Sequence, residues 1–296
     1  MMDHIIVGVD GSPHAANALR WALDECRLHQ SALTAVLTWD YLGQHHPDGS
    51  TDFDPTFDSA EADRSIEAFV EAAVGADDAA LVRTEAVFGL PAEGLLEASK
   101  SADLLVLGAR GLGGFRELLL GSVSQRCLHQ AACAVAIIRS NTPAGTTLFG
   151  RIVVGVDGSA HSDAAVKWAA QEASLRHAKL RVVHAFAANS TDIAFLPIPT
   201  TASTVANKQG HAVLEAALAH VGVPEGLHVE LVPASGSPAE ALLGASHDAD
   251  LVVVGRAGRS LITGMVLGSV ATEISHHSRI PAIFISTTDA STPGDR

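Results

Sequence analysis

The chain has 296 residues, a formal net charge of -14, and apolar side chains at 47% of positions with only 4% aromatic. That length suits two α/β domains of about 150 residues each, and an acidic chain with no Lys/Arg stripe sets aside a nucleic-acid partner. No apolar run approaches the roughly 20 residues of a membrane span. The opening MMDHIIVGVDGS lacks the basic start of a signal peptide, and Cys26, Cys127 and Cys133, without CxxC spacing, read as buried reduced thiols of a cytoplasmic protein.

In chain order, Ile5 to Val9 is an apolar strand followed by Asp10, Gly11 and Ser12 as turn and cap. Pro13 lies in the first turn of a helix whose apolar stripe is Ala18, Leu19, Ala22 and Leu23. Trp21 and, further along, Trp168 fall on such stripes and are expected in the core. Strand two is Leu33 to Trp39. A polar, acidic stretch from Asp40 to Asp63 reads as a solvated flap, and a helix spans about Ala60 to Val74. Strand three runs about Leu81 to Phe88, and Gly89-Leu90-Pro91-Ala92 opens a helix reaching Ser101. Strand four is Leu104 to Leu107; a glycine-rich loop follows, Gly121-Ser122 starts a helix toward Gln130, and strand five is Val135 to Ile138.

The chain then repeats itself. IIVGVDGSPHAANALRWA from Ile5 aligns with IVVGVDGSAHSDAAVKWA from Ile152, at an offset of 147 that also carries Gly89 to Gly236, Pro91 to Pro238, Asp103 to Asp250, and Gly121-Ser122 to Gly268-Ser269. A repeat this long indicates two complete domains. They are expected at 1–141 and 150–288, with 142–149 as linker and 289–296 as a flexible tail. Near-continuous apolar strands alternating with helices predict an α/β fold, two tandem doubly wound domains, each a five-stranded parallel sheet with helices on both faces. In such sheets the ligand crevice opens at the carboxyl ends of the strands where winding reverses.

The loop after strand four reads GARGLGGFRELLLGS from Gly108 and GRAGRSLITGMVLGS from Gly255. Both copies keep Gly, two residues, Gly, nine residues, Gly-Ser, which permits a sharp turn and then a helix whose unpaired N–H groups can receive phosphate. There is no GxxxxGK[ST], no GxGxxG spacing, no SGGxDS loop and no GxSxG elbow, so fast phosphoryl transfer, dinucleotide binding and a hydrolase triad lack support. The 15 histidines are scattered without HExxH, which gives no metal signature. Asp10 reads either as a helix cap or as an acceptor for a ligand hydroxyl, and Arg110 either as a phosphate partner or as a solvated loop charge.

VGVDGS after strand one, G-x-P-A after strand three and G-x2-G-x9-G-[ST] after strand four, each present twice in register, resemble the universal stress protein family over essentially the whole chain. The resemblance, which is to tandem-domain members of actinobacterial type, implies a sheet order 3-2-1-4-5 and ATP, with Mg²⁺, at the crevice between strands one and four. By position it implies Val9 and Asp10 beside adenine and ribose, Trp39 beside the adenine, and Gly108 and Gly111 flanking the ribose and first phosphate, with Arg110 as the supplementary cation for the phosphates. Gly121, Ser122, Val123 and Ser124 are then donors to the phosphates. In the second copy the matching residues are Val156, Asp157, Ala185, Gly255, Gly258, Gly268, Ser269 and Val270. With Ala185 set against Trp39, Ala271 against Ser124 and Ala257 against Arg110, the first site is expected to bind ATP more tightly. The family further implies edge pairing by the fifth strands, a homodimer and regulatory protein partners. The expected role is a nucleotide-dependent regulator or sensor in stress or growth adaptation rather than a dedicated enzyme. The alternatives are a slow ATPase or adenylating enzyme and a nucleotide-free interaction scaffold.

Overall fold

The apolar run after the first residues forms β1 (His4–Val9), with Ile5, Ile6 and Val7 buried although they alternate between faces. A strand covered on both sides is the signature of a parallel sheet between helical layers. The computed structural model describes residues 2–41, 43–44, 46, 53–112, 119–139, 150–186, 201–258 and 267–287, and of 201–206 the backbone only. The chain separates into two compact units with main bodies Met1–Thr146 and Thr147–Ser278.

In the first unit β1 is followed by α1 (Pro13–His29), β2 (Ala32–Trp39), α2 (Ser59–Val74), a single turn α3 (Ala76–Ala79), β3 (Val82–Phe88), α4 (Pro91–Ala98), β4 (Leu104–Gly108), α5 (Ser122–Gln130) and β5 (Ala134–Ile138). The strand order is β3-β2-β1-β4-β5, and the β1 pairings with β2 and β4 are both parallel. The second unit repeats the plan with β6 (Arg151–Gly155), α6 (Ala160–Leu175), β7 (Lys179–Phe186), α7 (Thr201–Val221), β8 (Val229–Ser235), α8 (Pro238–Ala245), β9 (Leu251–Gly255), α9 (Ser269–His277) and β10 (Ala282–Ile285). Its order is β8-β7-β6-β9-β10. The winding therefore reverses between β1 and β4, and between β6 and β9, which places the turns after those strands at one crevice per unit.

Local differences from the sequence reading have local causes. Leu81 is a turn residue, 56% exposed, and β3 begins at Val82. The helix expected to reach Ser101 ends at Ala98 and tightens into a 3₁₀ turn over Ser99–Ser101. Trp21 is buried, whereas its counterpart Trp168 is only half-buried. The Asp40 to Asp63 stretch is not a purely solvated flap where it is described. Gln44 is 3% exposed, donates Nε2 to the carbonyls of Tyr41 and Asp54, and accepts the Asp54 N–H at 2.6 Å, while Phe57 packs on Trp39. The linker 142–149 and the tail 289–296 lie outside the described residues. Among the described residues no helix is long and apolar enough to cross a membrane.

Candidate functional site

The turn after the first strand of each unit is built around one aspartate. Asp10 Oδ1 accepts the Ser12 N–H at 3.0 Å and Oδ2 accepts the Leu112 N–H at 3.1 Å, so this carboxylate ties the β1 turn to the loop after β4. The helix cap is Ser12, whose Oγ accepts the Ala15 N–H at 3.1 Å. Asp157 receives Ser159 N–H at 3.0 Å, and Ser159 caps α6 through Ser162 N–H at 3.1 Å. Between cap and aspartate the chain turns through Gly11 at φ +79° and Gly158 at +76°, a region that favours glycine.

The glycine block folds back on itself in the same way twice. Gly121 N–H donates to Ala109 O at 2.8 Å and Gly268 N–H to Arg256 O at 2.7 Å, so the closing glycine sits against the opening turn across nine intervening residues. A Cβ on Gly121 would approach Arg110 Cα and Gly111 N to 3.6 and 3.8 Å. Gly121 and Gly268 are the N-caps of α5 and α9, and neither helix has a side-chain cap. In contrast to α1 and α6, these two helices thus present their first N–H groups to the crevice without a side-chain acceptor.

In the second unit these elements enclose a cleft of about 220 Å³. All eight second-copy residues expected from the sequence, Val156, Asp157, Ala185, Gly255, Gly258, Gly268, Ser269 and Val270, line it. The sequence reading missed Val183, Val254, Leu242 and Pro238, which form its apolar floor and wall. Pro238 belongs to the repeated G-x-P-A block, and Val183 lies two residues from Ala185 on the same strand face, so both carried a signal. Asp157 is the one carboxylate among the described lining residues.

The first unit corrects three assignments. Trp39 pairs with Phe88, and Phe186 pairs with Ser235, so the counterpart of Trp39 is Phe186, and Ala185 answers Thr38. Trp39 is 7% exposed and packs in a cluster with Phe57 and Ala62 of α2, at a ring distance of 5.4 Å to Phe57 and 5.1 Å to Phe88. Thr38 faces α4 instead, where a Cβ on Gly94 would meet its Cγ2. Successive strand residues point to opposite faces, so Trp39 belongs to the core on the α2 side and not to an adenine wall. Thirdly, Ser124 Oγ donates to Gly108 O at 2.7 Å, so its only hydroxyl proton is engaged inside the loop rather than offered to a phosphate.

The remaining first-copy residues lie at the ends of β1 and β4 and at the start of α5. Val9 is buried at the end of β1, Gly108 and Gly111 flank the half-buried Arg110, and Ser122 is exposed at the start of α5 with Val123 half-buried beside it. A Cβ on Gly108 would stand 2.9 Å from the His14 carbonyl carbon, which is why the strand ends in glycine. Burial and the Arg110 and Arg139 guanidinium groups hold the His14 imidazole below its ordinary value, with Asp10 opposing them. His161 is lowered likewise by burial and Arg256 against Asp157.

The family model described as the universal stress protein family matches residues 1–139 and again 148–286. Universal stress protein Rv2005c of Mycobacterium tuberculosis is 32% identical over 292 residues, covering 94% of this chain and 95% of its own. Universal stress protein Rv2623 of the same organism is 32% identical over 290 residues, with 94% and 95% covered. Among solved structures, a universal stress protein from Archaeoglobus fulgidus superposes with a TM-score of 0.62 at 20% identity, covering 96% of each chain, a likeness of fold. With two copies of the glycine block on two copies of one doubly wound sheet, and relatives that match 94% of its length, the chain belongs to the universal stress protein family as a tandem-domain member.

Proposed function

We propose that each unit binds an adenine nucleotide, ATP with Mg²⁺ carried on its phosphates, and that occupancy sets the state of the protein in a regulatory role during stress or growth adaptation. The observation that supports this best is the second-unit cleft. Its apolar floor suits a base, Asp157 suits a ribose hydroxyl, and the uncapped N-terminus of α9 on its rim suits phosphate oxygens. Mg²⁺ binds through phosphate oxygens and water more readily than through a protein cage. Asp157 already accepts the Ser159 N–H, so the residues fit a metal delivered by the nucleotide rather than one resident beforehand.

Two of the contrasts that favoured the first site are removed, since Ala185 is not the counterpart of Trp39 and Ser124 directs its hydroxyl inward. We therefore infer that the second unit is a binding site in its own right. Denaturing the purified protein and identifying released nucleotide by mass spectrometry tests the reading: ATP or AMP at one or two per chain supports it. Absence of nucleotide, together with no thermal shift on adding ATP and Mg²⁺, refutes it and leaves an interaction scaffold. Calorimetric titration of Gly121→Asp and Gly268→Asp then assigns stoichiometry, each variant being expected to lose its own site.

A further inference from the structure

On the apolar floor and wall of the second-unit cleft, Val183, Leu242 and Pro238 recur in the first copy as Val36, Leu95 and Pro91. Two lining positions of this apolar surface change: Val254 stands where the first copy has Leu107, and Ala185 where it has Thr38. The exchange at Ala185 is compensated within the packing. A Cβ on Gly94 would lie 2.6 Å from Thr38 Cγ2, and the second copy has that Cβ, on Ala241, while lacking the threonine methyl.

The exchange of Leu107 for Val254 changes the floor itself. In the first unit a Cβ on Gly8 would stand 2.7 Å from Leu107 Cδ2, so the leucine lies across this glycine of β1, and Gly8 is buried. Around Gly155, its counterpart, the three nearest atoms all belong to Leu242, at 2.7, 3.3 and 3.5 Å. Val254 is not among them, and Gly155 is half-buried and lines the cleft. Valine ends one carbon short of the reach of leucine, and the glycine that Leu107 covers in the first unit lies open to the cleft in the second. The part of a ligand that meets this opening follows from its anchors. Asp157 suits the ribose and the start of α9 the phosphates, both on the rim. Adenine is joined to ribose through its five-membered ring, so the six-membered ring and its exocyclic amine reach furthest toward the floor.

Resting on the nucleotide reading above, we propose that the residue before the last glycine of β4 or β9 sets the size of base that each unit takes. With Val254, the second unit accepts an adenine nucleotide alkylated on its exocyclic amine. With Leu107, the first unit accepts the unsubstituted base alone. The side chains of the floor are apolar, so an added alkyl group gains by leaving water, whereas an added polar group would forfeit its hydration. In the first unit the same alkyl group has to displace Leu107, and a close-packed site yields little to an extra carbon. The two units thus divide the work: the first reads adenine as such, and the second tolerates its N6-substituted forms.

The test is calorimetric titration of the full-length protein with ATP and with N6-methyl-ATP, each with Mg²⁺. Wild type is expected to bind ATP at both units, and N6-methyl-ATP tightly at one and about tenfold or more weaker at the other. Gly268→Asp should remove the tight N6-methyl-ATP site and Gly121→Asp should leave it. Leu107→Val should bring the weak site to within about threefold of the tight one, and Val254→Leu should lower the preference of the second site for N6-methyl-ATP over ATP about tenfold. The two exchanges act in opposite directions, and heat released with ATP shows that each variant folds. Equal binding of N6-methyl-ATP at both units of wild type, no tight site for it at all, or a tight site that survives Gly268→Asp overturns the proposal. So does a preference that neither exchange moves. In each of these cases ATP binding itself stands. Failure of wild type to bind ATP overturns the nucleotide reading as well.

Discussion

A Cβ placed on Gly111 would stand 2.2 Å from Oδ2 of Asp10, and the equivalent distance between Gly258 and Asp157 is 2.8 Å. The carboxylate cannot retreat, because Asp10 is held by the N–H groups of Ser12 and Leu112. Both glycines are therefore fixed by what they touch. Gly111→Ala should destabilise the first unit by about 1–3 kcal/mol and weaken nucleotide binding there. Gly244→Ala serves as the contrast. This residue lies inside α8 with nothing within 4 Å of its Cβ position, and alanine should stabilise by about 0.5–1 kcal/mol. Urea denaturation of the two variants measures both, and a harmless Gly111→Ala would refute the role given to Asp10.

The two copies solve one packing problem with a methyl group moved between neighbours. In the first unit Thr38 projects toward Gly94, where a Cβ would lie 2.6 Å from Thr38 Cγ2 and 3.3 Å from Val87 Cγ1. In the second unit the same positions hold Ala185 and Ala241. A β-branched threonine has little rotamer freedom with which to yield. Gly94→Ala alone should cost about 1–3 kcal/mol, whereas Thr38→Ala/Gly94→Ala reproduces the second unit's arrangement and should recover most of that loss. A double-mutant cycle that comes out additive would show the pair to be uncoupled.

Much of the fold was legible because it depends on local patterns written twice. Val-Gly-Val-Asp-Gly-Ser, the alternating strands and helices, and the Gly-Ser that opens α5 and α9 all survive the offset of 147. The second-copy site was legible for the same reason, since its glycines and Asp157 are backbone requirements that no other residue meets. What escaped was side-chain direction. At the end of β2 a single-residue slip in matching the copies turned Trp39 from a core residue into a supposed base neighbour, and only the strand register separates it from Thr38. The hydroxyl of Ser124 looked available because its acceptor, Gly108 O, is 16 residues away in sequence.

Trp39 also gives the β2 end a spectroscopic reporter. Phe57, 5% exposed, covers its edge, with Phe88 on the neighbouring strand. Phe57→Ala should cost about 3 kcal/mol and open Trp39 to water, seen as a red shift in tryptophan emission. Trp39→Phe in the same background should abolish that shift; its persistence would place the change at Trp21 or Trp168.

The cysteines differ in access. Burial pushes the Cys127 thiol up to about 12, and Cys133 is also buried, whereas Cys26 is half-buried with Sγ donating to Ser31 O at 2.8 Å. A thiol buried this way is unreactive because the thiolate is the nucleophile. Iodoacetamide should modify Cys26 first in the native protein, and Cys127 only after unfolding. Peptide mapping showing early Cys127 labelling would contradict its burial on the inner face of α5.

The amino ends of the second unit's strands carry a cluster of opposite charges at positions where the first unit has Arg83 but neither of the two acids. Arg181 on β7 donates Nε to Glu230 Oε2 at 3.0 Å and Nη1 to Asp248 Oδ1 at 2.7 Å, and Arg151 also bonds Asp248. The matching positions in the first unit hold Thr34, Arg83, Ser101 and His4, with His4 Nε2 and Thr34 Oγ1 hydrogen-bonded at 2.9 Å. The hydrogen bond from Arg181, then the charges of Arg181 and Arg151, keep the Asp248 carboxyl below its ordinary 3.8. A depressed carboxyl stabilises the fold fully above that ordinary value, and the contribution disappears as pH falls through the lower folded value. Asp248 is 51% exposed, so solvent screening limits the contribution to less than about 1 kcal/mol. Asp248→Asn should therefore lower stability slightly near neutral pH and in low salt, with the two proteins converging as the pH is taken below 3.8. A difference that persists unchanged in acid would mean that Asp248 acts through geometry and not through its charge.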